Sequence, residues 1–309
     1  MTDRSKLASE SPEAAASQDQ HAESYAWCTR VARAQAKNFY YSFLLLPLPQ
    51  RQAMCAIYAF MRYCDDLSDG DEIFDRASGI AQWRTDLEIA LAGGHPNHPL
   101  WPAFADAVER YRIPHQYFFD MIEGVQSDLE PRRIQTFDEL YDYCYHVASV
   151  VGLTIIHIFG FKSGDKSSEA LKLAEKCGIA FQLTNILRDV REDAQKDRVY
   201  LPAEDLDRWG VSPADLALAE PSENFPRLME FEAKRARDYY RQSAPLIELT
   251  DPRSRASLRA LIEIYSRLLD RIVDSNYDVL ARRIRVPTWE KLWVLASAFF
   301  QPRKTERGA

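Results

Sequence analysis

Residues 181–202 read FQLTNILRDVREDAQKDRVYLP. Asn185, Asp189 and Asp193 recur every four residues, and positions i, i+4 and i+8 of an α-helix share one face. Ile179, Phe181, Leu183, Ile186, Leu187 and Val190 supply the apolar surface that would bury such a helix. Three oxygen donors on a partly buried face suit a hard cation such as Mg²⁺, which keeps some water and takes other ligands from substrate phosphates. Arg188, Arg191, Lys196 and Arg198 add cationic donors for phosphate oxygens. Taken alone, the pattern fits a solvated charged face better than a site.

A second acidic stretch changes that balance. Residues 64–71 read CDDLSDGD, with Asp65 and Asp69 again four apart. They close a segment, 50–69, in which Ala53, Ile57, Phe60, Met61 and Cys64 make a three-four apolar stripe. Two acidic helix faces far apart in sequence can converge on one diphosphate through bridging metal ions.

The remaining bulk properties narrow the function classes. The 309 residues are 46% hydrophobic and 28% charged, which describes a globular chain with ample core material. A net charge of −7 and the lack of a basic stripe with interleaved aromatics argue against nucleic-acid binding. The five cysteines are scattered, with no CxxC pair, and read as reduced residues rather than a disulfide or zinc framework. The first twenty residues hold no apolar core of a signal peptide, and no run of about 18 apolar residues is apparent. A cytoplasmic location is expected.

Along the chain, residues 1–21 read as a disordered tail, 22–301 as a single all-α domain and 302–309 as a flexible C-terminal tail. Helices are expected at 22–36, 50–69, 77–92, 99–111, 114–129, 137–161, 167–193, 225–246 and 255–285, with a weak one at 213–219. His95 and His98 have zinc-like spacing but no further ligands, so they read as loop residues. Gly152, inside the helix at 137–161, marks a close approach by another helix or by a ligand. The final apolar segment, TWEKLWVLASAFF, either caps the bundle, which is the first reading, or rests on a membrane surface. No convincing strand, GxGxxG, P-loop, HExxH or internal repeat is present.

FQLTNILRDVREDAQKDRVYLP together with AIYAFMRYCDDLSD strongly resembles the squalene/phytoene synthase family, and the similarity runs over about residues 24–300. The resemblance implies an isoprenoid synthase-type helical bundle with a central cavity. By motif it implies that Asp65 and Asp69 serve one Mg²⁺–diphosphate site and Asn185, Asp189 and Asp193 the other, with Mn²⁺ as the alternative ion. Tyr58 and Arg62 match positions facing the diphosphate, Tyr143 the tyrosine near the departing diphosphate, Arg198 and Tyr200 its RVYLP contacts, and Tyr265 a late cavity tyrosine. Ser149 stands where the family has glycine, which would narrow the cavity wall. Asn38 stands where many members have serine.

The resemblance implies prenyl diphosphate substrates. The first reading is condensation of two farnesyl diphosphates to presqualene diphosphate, with NADPH needed only if the reaction continues to squalene. Phe43 would then set the cavity floor at farnesyl depth. The alternative is a phytoene synthase joining two geranylgeranyl diphosphates, and the remote one a non-catalytic prenyl-binding protein. Oligomeric state is left open.

Overall fold

Apolar residues three and four apart dominate the chain, and the computed structural model is correspondingly built from helices. It describes residues 12–36, 39–69, 75–129 and 133–300. In chain order these form α1 (Pro12–Gln35), α2 (Phe39–Phe43), α3 (Leu48–Asp69), α4 (Arg76–Leu91), α5 (Trp101–Arg110), α6 (Gln116–Ser127) and α7 (Phe137–Cys144). A π-turn at Tyr145–Ser149 leads directly into α8 (Val150–Phe159). There follow α9 (Ser167–Ala194), α10 (Ala203–Trp209), α11 (Phe225–Ser243), α12 (Leu246–Leu249), α13 (Arg255–Asp274) and α14 (Thr288–Phe300). Among the described residues there is no strand, only isolated bridges at Arg133–Val199 and Phe161–Thr250.

Two helices carry the layout. α3 packs against α1, α4, α5, α6 and α8 over a cluster of rings that includes Phe60, Trp83, Trp101, Phe104 and Phe118. Phe60 stacks on Phe104 at 4.7 Å and Trp83 lies 4.4 Å from Trp101, and each buried ring of this kind contributes roughly 1.5–3 kcal/mol. α9 runs through the centre, against α7, α8, α11 and α13. Its buried residues surround the axis, which is why its periodicity is weak for a helix of its length.

α7, the π-turn and α8 form one continuous helix. Phe137–Phe159 is apolar and long enough to cross a membrane, with mean hydropathy 1.3, contrary to the sequence expectation. It packs against α6 and α9 as a core helix, and 56% of its most apolar window is buried. Gly152 answers the close-approach question. A Cβ there would sit 2.7 Å from the Ala174 carbonyl oxygen of α9, and one on Gly178 would sit 2.6 Å from the Ala148 carbonyl oxygen. The two helices cross backbone to backbone, which only glycine permits.

Three expectations need correction. α1 starts at Pro12, not near residue 22, so residues 12–21 are helical; their Ala, Glu and Gln content favours this without any apolar stripe. Residues 1–11 and 301–309 lie outside the described residues. α13 ends at Asp274 rather than 285, because Asn276 and Tyr277 take left-handed backbone (φ 53° and 60°). α10 was missed, although Pro202 opens it, Glu204 and Asp205 fill its first turn, and a left-handed Gly210 closes it.

All five cysteines are free and buried. Burial pushes their thiols up, to about 12 in Cys28 and Cys177 and about 11 in Cys55. His98 makes no metal site: its Nδ1 accepts the Leu100 N–H at 3.3 Å, and its ring is edged by Trp27, Tyr63 and Trp83.

Candidate active site

Between α3, α8, α9 and α13 lies a cavity of about 420 Å³. Its lining changes character along the helices. Met54 and Ile57 sit at its apolar end with Phe43, Ile155, Leu258 and Leu261, whereas Asp65 sits at its polar end. Met54 and Asp65 are eleven residues apart on α3, roughly 16 Å at 1.5 Å per residue.

The cavity brings together Tyr58, Arg62, Asp65, Tyr143, Asn185, Asp189, Asp193, Arg198, Tyr200 and Tyr265. Asp69 is the last residue of α3, and its side chain lies outside the described residues, as does Asn38. Of the doubled Asp65–Asp66, Asp65 lines the cavity, while Asp66 is ion-paired with Arg62 one turn back. Of the four cations read from sequence on and after α9, Arg188 and Arg198 line the cavity. Arg191 instead donates to the Leu280 carbonyl at 2.8 Å, and Lys196 is exposed outside the cavity lining.

On α9, Asp189 accepts from Arg188 Nε at 2.8 Å and pairs with Arg283 at 3.0 Å. Asp193 one turn on is pushed up to about 7, first by burial and then by the Asp189 charge. Asn185 Oδ1 is buried and has no hydrogen-bond partner among the described residues. An orphaned amide oxygen and a carboxyl strained by burial are what a cation would relieve, so this donor set fits a divalent ion. Among the described residues no three carboxylate, imidazole or thiol groups make a metal shell by themselves. The ion's remaining ligands would therefore come from diphosphate and water.

Asp128, which no motif signalled, is the hub of the opposite wall. Its carboxylate accepts from the Tyr143 hydroxyl at 3.1 Å and the Tyr200 hydroxyl at 3.0 Å, and its carbonyl accepts from Arg198 Nη2 at 3.1 Å. The two tyrosine rings stack at 4.8 Å. Pairing of Arg133 with Val199, and Ala203 N–H donating to the Ile134 carbonyl at 2.9 Å, hold these two chain segments side by side. Burial first, then the Asp128 charge, keeps both phenols above their ordinary range, so they stay protonated donors. Asp128→Asn is expected to lower kcat about 10–100-fold, the equivalent of one hydrogen bond to a charged acceptor at about 1.5–3 kcal/mol. Steady-state kinetics beside a thermal melt checks it, and unchanged kcat would reduce Asp128 to a structural residue.

An aromatic wall covers the middle of the cavity. Phe181 stacks on Tyr265 at 4.3 Å, and Phe39 lies 5.5 Å from Tyr265 and 6.5 Å from Tyr58. Ser149 does not narrow this wall. It is fully buried outside the lining, where its hydroxyl donates to the Glu175 carbonyl at 3.0 Å and ties the π-turn to α9.

Residues 32–290 match the family model described as squalene/phytoene synthase. The chain is 38% identical to a 15-cis-phytoene synthase of Synechococcus elongatus, over 90% of this chain and 93% of that one. It is likewise 38% identical to a phytoene synthase of Arthrospira platensis, over 91% and 94%. Its fold is similar to the crystal structure of a dehydrosqualene synthase in complex with ligand (TM-score 0.84, 30% identity, 92% of this chain and 98% of that one). These comparisons overturn the first reading from sequence, farnesyl diphosphate to presqualene diphosphate. The relatives matching nearly end to end at 38% identity are phytoene synthases, which outweighs the local similarity around NFYYSFLLLP and VASVVGL on which the farnesyl reading rested. The farnesyl-depth role of Phe43 falls with that reading, although the residue does line the apolar end of the cavity.

Proposed function

The chain belongs to the squalene/phytoene synthase family of prenyltransferases, which act on prenyl diphosphates, and on that premise we propose that it is a phytoene synthase joining two geranylgeranyl diphosphates. The observation that carries the choice is the 38% identity, nearly end to end, to phytoene synthases; the two-ended cavity, with oxygen donors and arginines at one end and rings and aliphatic side chains at the other, supports the substrate class. A prenyl diphosphate has the same polarity along its length.

The Mg²⁺ that Asp65, Asn185, Asp189 and Asp193 would hold supplies Lewis-acid stabilisation of the departing diphosphate charge. Arg62, Arg188 and Arg198 offer guanidinium donors to the same oxygens. Tyr143 and Tyr200, kept protonated and oriented by Asp128, add hydroxyl donors. Ionisation of one substrate leaves an allylic cation, and the double bond of the second attacks it. Loss of a proton then gives a cyclopropyl diphosphate. A second ionisation releases the second diphosphate, and loss of a second proton gives the C40 hydrocarbon, so no reductant enters. Tyr58, Phe39, Phe181 and Tyr265 exclude water, which would quench the cation, and offer π faces worth about 0.5–2 kcal/mol each.

Product analysis with geranylgeranyl or farnesyl diphosphate, each with Mg²⁺ and with or without NADPH, tests the reading. Phytoene from the C20 substrate without NADPH is the expected product. Turnover confined to farnesyl diphosphate, or a strict need for NADPH, would overturn it.

A further inference from the structure

Arg235 of α11 touches three helices at once. Its Nη1 donates to Asp205 Oδ2 of α10 at 2.9 Å and to both Glu232 carboxylate oxygens of α11 at 2.7 Å. Its guanidinium carbon lies 4.1 Å from the centre of the Phe137 ring, at the start of α7, and 4.8 Å from that of Phe231. Asp205 and Glu232 are 4% and 1% exposed. Burial pushes the Glu232 carboxyl up to about 8, opposed by the Arg235 charge and helped by that of Asp205. At neutral pH the cluster therefore holds one carboxylate against one guanidinium, with no surplus buried charge. Beyond Phe231 the pattern continues. Arg208 lies 5.1 Å from that ring and 5.6 Å from Trp209, and Arg227 lies 5.2 Å from Trp209. Guanidinium and ring alternate from Arg227 to Phe137, a ladder of cation–π contacts that holds Arg235 near one end.

None of these side chains lines the cavity, but the segments they touch lead there. Residues 133–137 and 199–205 run side by side, joined by the Arg133–Val199 bridge and by the Ala203 N–H on the Ile134 carbonyl. Glu204 lengthens this strap. Its N–H donates to the Gln135 carbonyl at 3.1 Å, and its Oε1 accepts from the Phe137 N–H at 2.8 Å. Tyr200 lies on the strap itself, and Tyr143 is six residues past Phe137, about 9 Å along α7. Arg235 closes the strap, since it grips Asp205 on one segment and covers Phe137 on the other. A buried ion pair is by itself weak evidence for stability, because desolvation offsets its attraction. A side chain that spans both segments does something else: it fixes their separation.

We propose that Arg235 is a positioning residue for diphosphate departure, acting through the strap on Tyr143, Tyr200 and Arg198. By fixing the strap it sets where the two hydroxyls meet the Asp128 carboxylate and where Arg198 meets the Asp128 carbonyl. Lysine would keep the charge but lose the planar fork and the stacking on the ring. The role rests on the ionisation step of the proposed function, and on the phytoene reading only for the substrate assayed.

The test is diphosphate release from geranylgeranyl diphosphate by Arg235→Lys, with rates referred to the folded fraction by circular dichroism. kcat falls about 10–100-fold, the scale of a displacement of about 1 Å, while KM and the Mg²⁺ dependence stay as in wild type. Because Arg235 acts through the Asp128 hub, the losses do not multiply. Asp128→Asn/Arg235→Lys stays within about threefold of Asp128→Asn alone. Phe137→Leu keeps the ion pairs but removes the ring, and lowers kcat by a smaller factor that Asp128→Asn likewise absorbs. Arg208→Lys, on the ladder but not on the strap, keeps its kcat. Losses that multiply, an unchanged kcat in folded Arg235→Lys, or an equal loss in Arg208→Lys overturn the proposal. Should Arg235→Lys not fold, Phe137→Leu decides by the same comparison with Asp128→Asn. Wild type idle on geranylgeranyl diphosphate but active on farnesyl diphosphate would sink the phytoene reading instead, and the same rate ratios are then read on farnesyl diphosphate.

Discussion

Asp65→Asn and Asp189→Asn are each expected to lower turnover by at least about 10²–10³-fold, the scale of one lost preorganised electrostatic contact to the reacting group. The substitution preserves shape and removes the charge that binds a divalent ion, at the polar end of a cavity where both acids point inward. The two variants differ in stability. Asp65 is exposed, so its replacement leaves the melt unchanged. Asp189 pairs with Arg188, whose side chain is 15% exposed, and with Arg283, so its replacement costs about 1–3 kcal/mol as well. Circular dichroism confirms the fold of each, and diphosphate release with varied Mg²⁺ reads the loss. Near-normal turnover in a folded variant would sink the paired-site mechanism.

Gly178→Ala should produce the largest loss of stability from a single added methyl. An exposed helical glycine gains about 1 kcal/mol on becoming alanine. Here the new Cβ would lie 2.6 Å from both the Ala148 carbonyl oxygen and Ser149 Cα, and neither can move without shifting the helix opposite. Overpacking against side chains costs about 1–3 kcal/mol. Against backbone on the other helix the cost is at the top of that range or above, and outweighs the propensity gain. A fall in Tm of roughly 5–10 °C follows, at about 2–4 °C per kcal/mol for a domain of this order of size. A melt at or above the wild-type temperature would show that α8 and α9 separate easily, and that the crossing does not fix the cavity wall.

The local parts of the site were legible because they lie within single helices. Asn185, Asp189 and Asp193 declare themselves by spacing, and α9 delivers all three to the cavity. Asp65 was read the same way from its spacing to Asp69, whereas Tyr58 and Arg62 came only with the family resemblance; α3 brings all three to the cavity. Asp128 was invisible for the opposite reason. It follows the end of α6, and its partners Tyr143 and Tyr200 are 15 and 72 residues away, so only tertiary packing creates the contact. Gly152 announced a close approach, but its counterpart Gly178 passed as one more residue of an apolar run. Chain length of the substrate was equally hidden, since the acidic motifs grip the diphosphate that every prenyl donor shares.

The buried thiols make the folded chain chemically silent toward electrophiles. Thiolate is the reactive form, and burial holds all five cysteines far from it at neutral pH. They are spread over α1, α3, α7 and α9, so a reagent meets each only when its own helix swings away from its neighbours. Alkylation therefore acts as a set of clocks, timing the opening of separate parts of the bundle. Cys177, in the cavity wall, is the clock that a bound prenyl chain would slow.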